Sequence, residues 1–432
     1  MKKTKYVIEE EIEPKVFLLY NTFSNYFALI NQEKHDLWGE DCEKISYLAP
    51  HFYQELVDKG FIIENELDEL ETIKYRKNLM QQDSRMYQIM VNTTLDCNLS
   101  CWYCYEKKKA GSRLDNETIQ TIKKNIVIEY ENERYSSLKI SFFGGEPFMD
   151  FSTIRNILNY ANCFCKENNI QLIADFTTNA TLITPQYIDY LKHFQCHFQI
   201  TLDGTREIHN TIKKNILNPL ADSYGNTIEA LKLINKNIPN RWVAVRINFD
   251  NRILHHIKEI LDDIAFLTPQ STYIILKKIW QIKTEIVDKK ALICAIQEIL
   301  KRKYILDYYL MPKGSVCFAE RRRMALFNYD GKIFKCSTIT FDENETLGRV
   351  DKDTGVVTWH TPKIIPWFKD ELQNECKKCK WLPVCLGPCN KQKMLYKDKF
   401  ICTFDAMNLN AKEYLIYLFK CHLVRNEIYN PK

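Results

Sequence analysis

From Met86 onward six apolar runs alternate with amphipathic stretches, and this alternation confines the chain to parallel-sheet architectures. The runs are MYQIMV (Met86–Val91), LKISFF (Leu138–Phe143), LIADFT (Leu172–Thr177), FQITLD (Phe198–Asp203), VAVRINF (Val243–Phe249) and YIIL (Tyr273–Leu276). Helical patterns separate them. One begins at Asp115, a side chain suited to an N-cap, and sets Ile119, Ile122 and Ile126 on one face. Others cover Ile253–Leu267 and Lys290–Lys303. The expected class is therefore α/β, as a doubly wound sheet or a partial (β/α)6 barrel. In both, chemistry collects at the carboxyl ends of the strands. The conspicuous polar motifs lie there: a cysteine trio after the first run, GGEP after the second, TTNAT around the end of the third and LDG at the fourth.

Cysteine spacing adds the second constraint. Cys97-x3-Cys101-x2-Cys104 places three thiols in eight residues. Downstream come Cys317, Gly331-x4-Cys336, Cys376-x2-Cys379-x5-Cys385-x3-Cys389 and Cys402. Thiolates at this density are soft ligands for iron–sulfur clusters or zinc. The upstream trio offers three donors where a closed tetrahedral site takes four. A four-iron cubane held there keeps one iron open to another ligand. A zinc site completed by a distant His is the alternative for the trio, and a zinc knuckle for Cys376–Cys389.

The rest of the composition narrows the class. A net charge of +5 on 432 residues excludes a strongly basic nucleic-acid binder. The N-terminus MKKTKYVIEEEIEP has no apolar signal core, and no run reaches the roughly 18 apolar residues of a membrane span. The expectation is a cytoplasmic protein with no membrane or nucleic-acid partner. In a reducing compartment sixteen cysteines are not a disulfide framework. Most of the six outside the motifs (Cys42, Cys163, Cys165, Cys196, Cys294, Cys421) are expected as small buried hydrophobes.

Five segments follow: a small α+β module over 1–64, with two or three strands then about three short helices; a charged linker, 65–85; the βα core, 86–304; a cysteine-rich domain, 305–407; and a C-terminal helix (Asn408–Phe419) and tail, 408–432. Arg321-Arg322-Arg323 reads as a solvated face, with an acidic-peptide contact as the alternative.

C-x3-C-x2-C with Tyr103 before its last cysteine resembles the signature of the radical S-adenosylmethionine (SAM) superfamily. The resemblance implies SAM as cofactor, chelated at the open iron of a [4Fe–4S] cluster on Cys97, Cys101 and Cys104, and hydrogen abstraction by a 5′-deoxyadenosyl radical. Gly144-Gly145-Glu146-Pro147 matches the motif that holds the SAM ammonium, with Glu146 as partner. Thr178, Asn179, Thr201 and Asp203 match positions of ribose and carboxylate contacts, although each is also a turn or cap former. Lys213 stands where the family has an Arg, and an ammonium cannot make the bidentate fork. Arg246 and Asn248 are expected at the barrel mouth. No side chain is singled out as catalytic in its own right.

The seven downstream cysteines resemble the SPASM pattern. By that resemblance Cys317, Cys336 and Cys389 hold a first auxiliary [4Fe–4S] cluster with an open iron, and Cys376, Cys379, Cys385 and Cys402 hold a second, three clusters in all. The first 64 residues resemble the winged-helix-like modules of peptide-modifying members, where a leader peptide adds a strand to a sheet edge. The implied activity is maturation of a ribosomally made precursor peptide, with an electron donor such as flavodoxin or ferredoxin. An intrapeptide cross-link (thioether, C–C or C–O) is the expected product. The rivals are an epimerase, a formylglycine-forming sulfatase maturase and a non-catalytic metal-dependent peptide scaffold. Sulfatase maturases place an Asp after the second SPASM cysteine, and Ser337 stands there instead.

Overall fold

The N-terminal strands are β1 (Lys2–Lys3), β2 (Val7–Glu13), β3 (Val16–Asn21), β4 (Tyr26–Asn31) and β5 (Ile62–Ile63). β2, β3 and β4 form an antiparallel sheet in that order, and β1 pairs with β5. Helices Gln32–Gly39, Cys42–Leu48 and Pro50–Asp58 follow β4. Asn31 and Asp41 cap the first two by accepting the N–H of Lys34 and Lys44. Leu19 and Ile30 of the sheet bury against Trp38, Ile45, Phe52 and Leu56 of these helices. The expected strands-then-helices module is present.

The core sheet carries β6 (Met86–Asn92), β7 (Ser137–Phe143), β8 (Gln171–Thr178), β9 (Gln195–Thr201), β10 (Arg241–Phe249), β11 (Thr272–Lys278), β12 (Ile305–Asp307), β13 (Met324–Phe327), β14 (Lys332–Phe334), β15 (Gly348–Val350) and β16 (Val357–Trp359). Their order is β12-β11-β10-β9-β8-β7-β6-β13-β14-β15-β16. From β12 to β13 every pairing is parallel, and from β13 to β16 every pairing is antiparallel. The α/β class with a large, mostly parallel sheet is as expected, and all six apolar runs are strands. Five strands lie beyond them: β12 extends the parallel series at one end, β13 lies parallel to β6 at the other, and β14, β15 and β16 continue from β13 antiparallel.

Asp115 caps the helix Asn116–Asn132 by accepting the N–H of Thr118, and Ile119, Ile122 and Ile126 are buried beneath it. The pattern over Ile253–Leu267 is not one helix. It breaks at His256 into Asn251–His255 and Ile257–Asp263, where the His256 N–H turns back to Ile253. The last helix spans Ala411–Tyr429, well past Phe419, because Cys421 and Val424 continue its buried stripe.

The computed structural model describes residues 1–308, 315–369, 371–397, 399–405 and 407–429. The chain divides into two units: Met1–Gln82 with Tyr309–Arg321 and Pro366–Asn426, and Asp83–Tyr308 with Arg322–Ile365 and Glu427–Lys432. The segment expected as one cysteine-rich domain, 305–407, contributes to both. In the first unit Tyr6, Phe23 and Ile73 share a core with Val316, Cys376, Leu382 and Leu386. Trp381 packs 6.1 Å from Tyr20, whose ring stacks on Phe27 at 4.2 Å. Residues flanking the β2–β4 sheet, with Tyr20 of β3, thus meet the Cys376–Leu386 segment. No described helix is long and apolar enough to cross a membrane.

Of the cysteines outside the motifs, Cys165, Cys196 and Cys421 are buried, Cys42 is intermediate, and Cys163 and Cys294 are exposed. In the arginine triplet Arg322 is exposed, as expected of a solvated face, but Arg323 is buried. Arg323 is 3% exposed at its side chain, donates to the carbonyls of Glu133 (2.5 Å) and Glu129 (2.7 Å), and lies 5.5 Å from the Tyr87 ring. A guanidinium there adds a donor to carbonyls at the C-terminal end of the helix Asn116–Asn132.

Candidate active site at the carboxyl ends of the parallel strands

A cavity of about 170 Å³ opens in the second unit where β6 to β11 end. Cys97, Cys101, Tyr103 and Cys104, from the loop after β6, line it together with Gly144 and Gly145 after β7. Thr178 and Asn179 enter from the end of β8, Thr201 from β9, and Arg246 and Asn248 from β10. Lys213 completes the set. Twelve of the residues expected from the resemblance thus meet in one hollow.

The two glycines also shape the loop. A Cβ on Gly145 would lie 1.9 Å from the carbonyl oxygen of Asp96, and one on Gly144 (φ +91°) 2.2 Å from that of Thr94. The turn after β7 is therefore pressed against the segment that leads into Cys97. Only glycine admits that approach. Glu146 N–H donates to the Asp96 carbonyl at 2.9 Å and fastens the same contact. Asn179 ties in from the third side, its Nδ2 lying 2.9 Å from Asn98 Oδ1 and 3.9 Å from Cys97 Sγ.

Glu146 and Pro147 are placed differently from the expectation. Both are buried and absent from the cavity wall. The Glu146 carboxylate accepts from Thr178 Oγ1 (2.6 Å), Asn179 N–H (2.7 Å) and Phe148 N–H (3.0 Å). Burial raises its carboxyl despite these bonds. These three hydrogen bonds brace the wall.

Asp203 also lies behind the wall and is fully buried. It gathers five polar groups. The Asn248 N–H (2.9 Å) and Nδ2 (3.2 Å) reach one oxygen, and the Tyr103 hydroxyl donates to the other. Lys213 Nζ sits 3.6 Å from the second oxygen, and the Asp203 N–H donates to His209 Nδ1 at 3.1 Å. Lys213 also donates to Thr201 Oγ1 at 2.7 Å. The lysine standing in the family's arginine position is thus committed to an internal ion pair. Arg246 is the cation with an open fork: only its Nε is bonded, to Asn248 Oδ1 at 2.9 Å, and it makes no ion pair among the described residues.

The thiols suit a metal cluster by their chemistry. Burial, with the Glu146 carboxylate nearby, pushes Cys97 up to about 12, and burial also raises Cys104. Such thiols hold their protons unless a strong Lewis acid takes the sulfur, and iron does so. Within the first unit, Cys376 is pushed up to about 11 by burial and then by Cys385, Cys379 and Cys402, so these four thiols stand near one another. None of the sixteen cysteines is in a disulfide. Among the described residues no three His, Cys, Asp or Glu side chains converge as closely as a single ion requires.

Sequence reasoning missed several wall residues: Tyr105, Glu106, Lys108, Gln199, Lys278, Trp280 and Gln281. Burial pushes the Glu106 carboxyl up to about 8. Gln281 donates to the Tyr103 carbonyl and pins the cysteine loop from the end of β11. The strand-end rule that located the other motifs points to Lys278–Gln281 equally well.

Residues 91–264 match the radical SAM superfamily. The radical SAM cyclopropyl synthase TigE of Paramaledivibacter caminithermalis is 28% identical over 231 residues, 48% of this chain and 46% of TigE. The chain thus spans about half the length of that relative. The cysteine-type anaerobic sulfatase-maturating enzyme of Clostridium perfringens strain 13 is 23% identical over 363 residues, 75% of this chain and 93% of that enzyme. The solved structure described as native anSMEcpe with bound AdoMet and Kp18Cys peptide superimposes with a TM-score of 0.59 at 17% identity, covering 79% of this chain and 99% of that one. The matched segment holds the cysteine loop, the glycine turn and most of the strand ends that build the cavity, so residues 91–264 are the stretch of this chain that is similar to the radical SAM superfamily.

Proposed function

We propose that the chain is a radical SAM peptide maturase that binds a precursor through a leader segment and introduces an intrapeptide cross-link. The observation that carries the reading is the convergence of Cys97, Cys101 and Cys104 on one cavity walled by Gly144, Gly145, Thr178, Asn179, Thr201, Arg246 and Asn248. With SAM and a reduced [4Fe–4S] cluster bound, such a site supplies hydrogen abstraction from unactivated C–H bonds. The chain's own residues position and shield. Asn179 and Gln281 hold the cysteine loop, and the Asp203–Lys213 pair fixes Tyr103 beside it. Arg246 offers a bidentate fork to a carboxylate, a geometry that Lys213 cannot supply.

Cys376, Cys379, Cys385 and Cys402, all in the first unit, are proposed to hold an auxiliary cluster. In the first unit, β4 is an edge strand of the β2–β4 sheet and exposes Tyr26 and Leu29. An extended leader peptide pairing with that edge would gain main-chain hydrogen bonds and side-chain contacts together. The likeness to sulfatase-maturating enzymes over 75% of the chain favours formylglycine formation as a second reading.

The test is anaerobic incubation of reconstituted protein with SAM, a reductant and candidate precursor peptides, read by 5′-deoxyadenosine formation and peptide mass. A product that has lost hydrogen and does not react with a hydrazine probe supports a cross-link. A hydrazine-reactive product identifies formylglycine. Deuterium uptake from solvent without mass loss identifies an epimer. A protein that binds peptide but forms no 5′-deoxyadenosine is a scaffold, and the enzymatic reading falls.

A further inference from the structure

Three large apolar side chains of the second unit stand in solvent on one short turn: Ile216 is 49% exposed, Leu217 95% and Leu220 95%. Single exposed apolar side chains are ordinary, but a cluster of them marks a contact surface. The turn that carries them is ordered. Asn215 Oδ1 accepts the N–H of Leu217 (2.9 Å) and of Asn218 (3.0 Å), and Asn218 Oδ1 accepts that of Leu220 (3.3 Å). Asparagine-bonded turns thus hold the leucines outward.

The same turn is fastened to the cysteine loop. The Ser100 N–H donates to the Lys214 carbonyl at 2.8 Å and the Ile216 N–H to the Asn98 carbonyl at 2.9 Å, with Leu99 bridging Asn215 between them. Lys213 marks the boundary. It is buried in the cavity wall, whereas Lys214 is exposed, and Ile216, Leu217 and Leu220 are absent from that wall. The cysteine loop has an outer side of its own. Trp102, next to Cys101, is 51% exposed, and its ring stands edge-on to Tyr103 at 5.6 Å. Lysines rim this side. Lys108, Lys109 and Lys214 are exposed and make no ion pair among the described residues, and Lys108 donates to the Leu99 carbonyl beside the bridge to Asn215.

We propose that the Ile216–Leu220 turn and the outer side of the cysteine loop form the docking surface for an acidic one-electron carrier protein. This rests on the reading of Cys97, Cys101 and Cys104 as ligands of a [4Fe–4S] cluster. The carrier loses one electron and the cluster gains it, and no bond forms or breaks. The turn is bonded to the cluster-bearing loop yet lies outside the cavity, which selects an electron donor over a substrate. Lysines beside apolar side chains fit an acidic carrier: charge steers the encounter, and apolar burial holds the complex. Trp102 sets an exposed aromatic ring directly beside a cluster ligand.

The experiment drives the reconstituted full chain, with SAM and no peptide, by two routes: dithionite, or flavodoxin kept reduced by its NADPH-dependent reductase. 5′-Deoxyadenosine is measured for the parent, Lys214→Glu and the double variant Leu217→Asp/Leu220→Asp. Binding is read separately, by fluorescence anisotropy of labelled flavodoxin titrated with each chain, and folding by far-UV circular dichroism. The expected result is a flavodoxin-driven rate and an affinity about tenfold lower in the double variant, with the dithionite-driven rate unchanged. In Lys214→Glu the loss is about threefold and shrinks as salt rises. Equal flavodoxin-driven rates and equal affinity in parent and variants overturn the assignment alone, as does a parent that dithionite drives and flavodoxin does not. A loss by both routes in a folded variant makes the turn a support of the cysteine loop and overturns docking. A parent that forms no 5′-deoxyadenosine by either route overturns the cluster reading and this assignment with it. Should the double variant not fold, Lys214→Glu decides: an affinity below the parent's at low salt supports the proposal, and an equal one overturns it.

Discussion

At the scale of single residues, the site depends on acids that do not touch its cavity. Asp203 and Lys213 are both buried within one bonded group. Removing the acid alone leaves an uncompensated ammonium, so Asp203→Ala is expected to cost about 3–5 kcal/mol, measured by urea denaturation of the cluster-free protein. His209 adds a pH term. It accepts the Asp203 N–H at Nδ1, its Nε2 is buried without a partner, and burial, with Lys213 nearby, lowers its pKa well below 6.5. A histidine kept neutral in the folded state contributes stability that is full above the unfolded pKa and is lost as pH falls below it. Stability should therefore drop by about 1.4 kcal/mol per pH unit below about 6.5, and His209→Gln should flatten that slope. The cysteine positions, the glycine pair and the strand-end polar residues were legible in the sequence because spacing carries them. The inward retreat of Glu146 and the pairing of Lys213 with Asp203 were not. Both arise from side chains that meet across strands, which no local pattern encodes.

At the scale of elements, the turn after β7 is the seat of the cysteine loop. An added methyl at Gly145 would collide with the Asp96 carbonyl at 1.9 Å, and backbone there cannot yield. Gly145→Ala is expected to abolish the SAM-dependent change in the EPR signal while the circular dichroism of the sheet persists. Gly39→Ala, where a Cβ meets nothing within 4 Å, should leave both unchanged. The βα alternation revealed six strands because each is a long apolar run bounded by helices. β12 and β13 escaped it, at three and four residues, and only their pairing with β11 and β6 makes them strands. The break at His256 was equally hidden, since apolar spacing continues through it.

At the scale of the molecule, the segment 305–407 contributes to both units. Sequence composition suggested a separate cysteine-rich domain there because periodicity fades after 305, whereas Tyr20 of β3 packs on Trp381 and Tyr6, Phe23 and Ile73 share a core with Cys376. The central claim remains the cavity at the strand ends, where Cys97, Cys101 and Cys104 stand together. Anaerobically reconstituted and reduced protein, examined by EPR with and without SAM and assayed for 5′-deoxyadenosine, tests it most directly. The account predicts a reduced-cluster signal that SAM alters, with 5′-deoxyadenosine formed by the intact chain and abolished by Cys97→Ala, Cys101→Ala or Cys104→Ala. A signal indifferent to SAM, or 5′-deoxyadenosine formed undiminished by the triple variant, contradicts it.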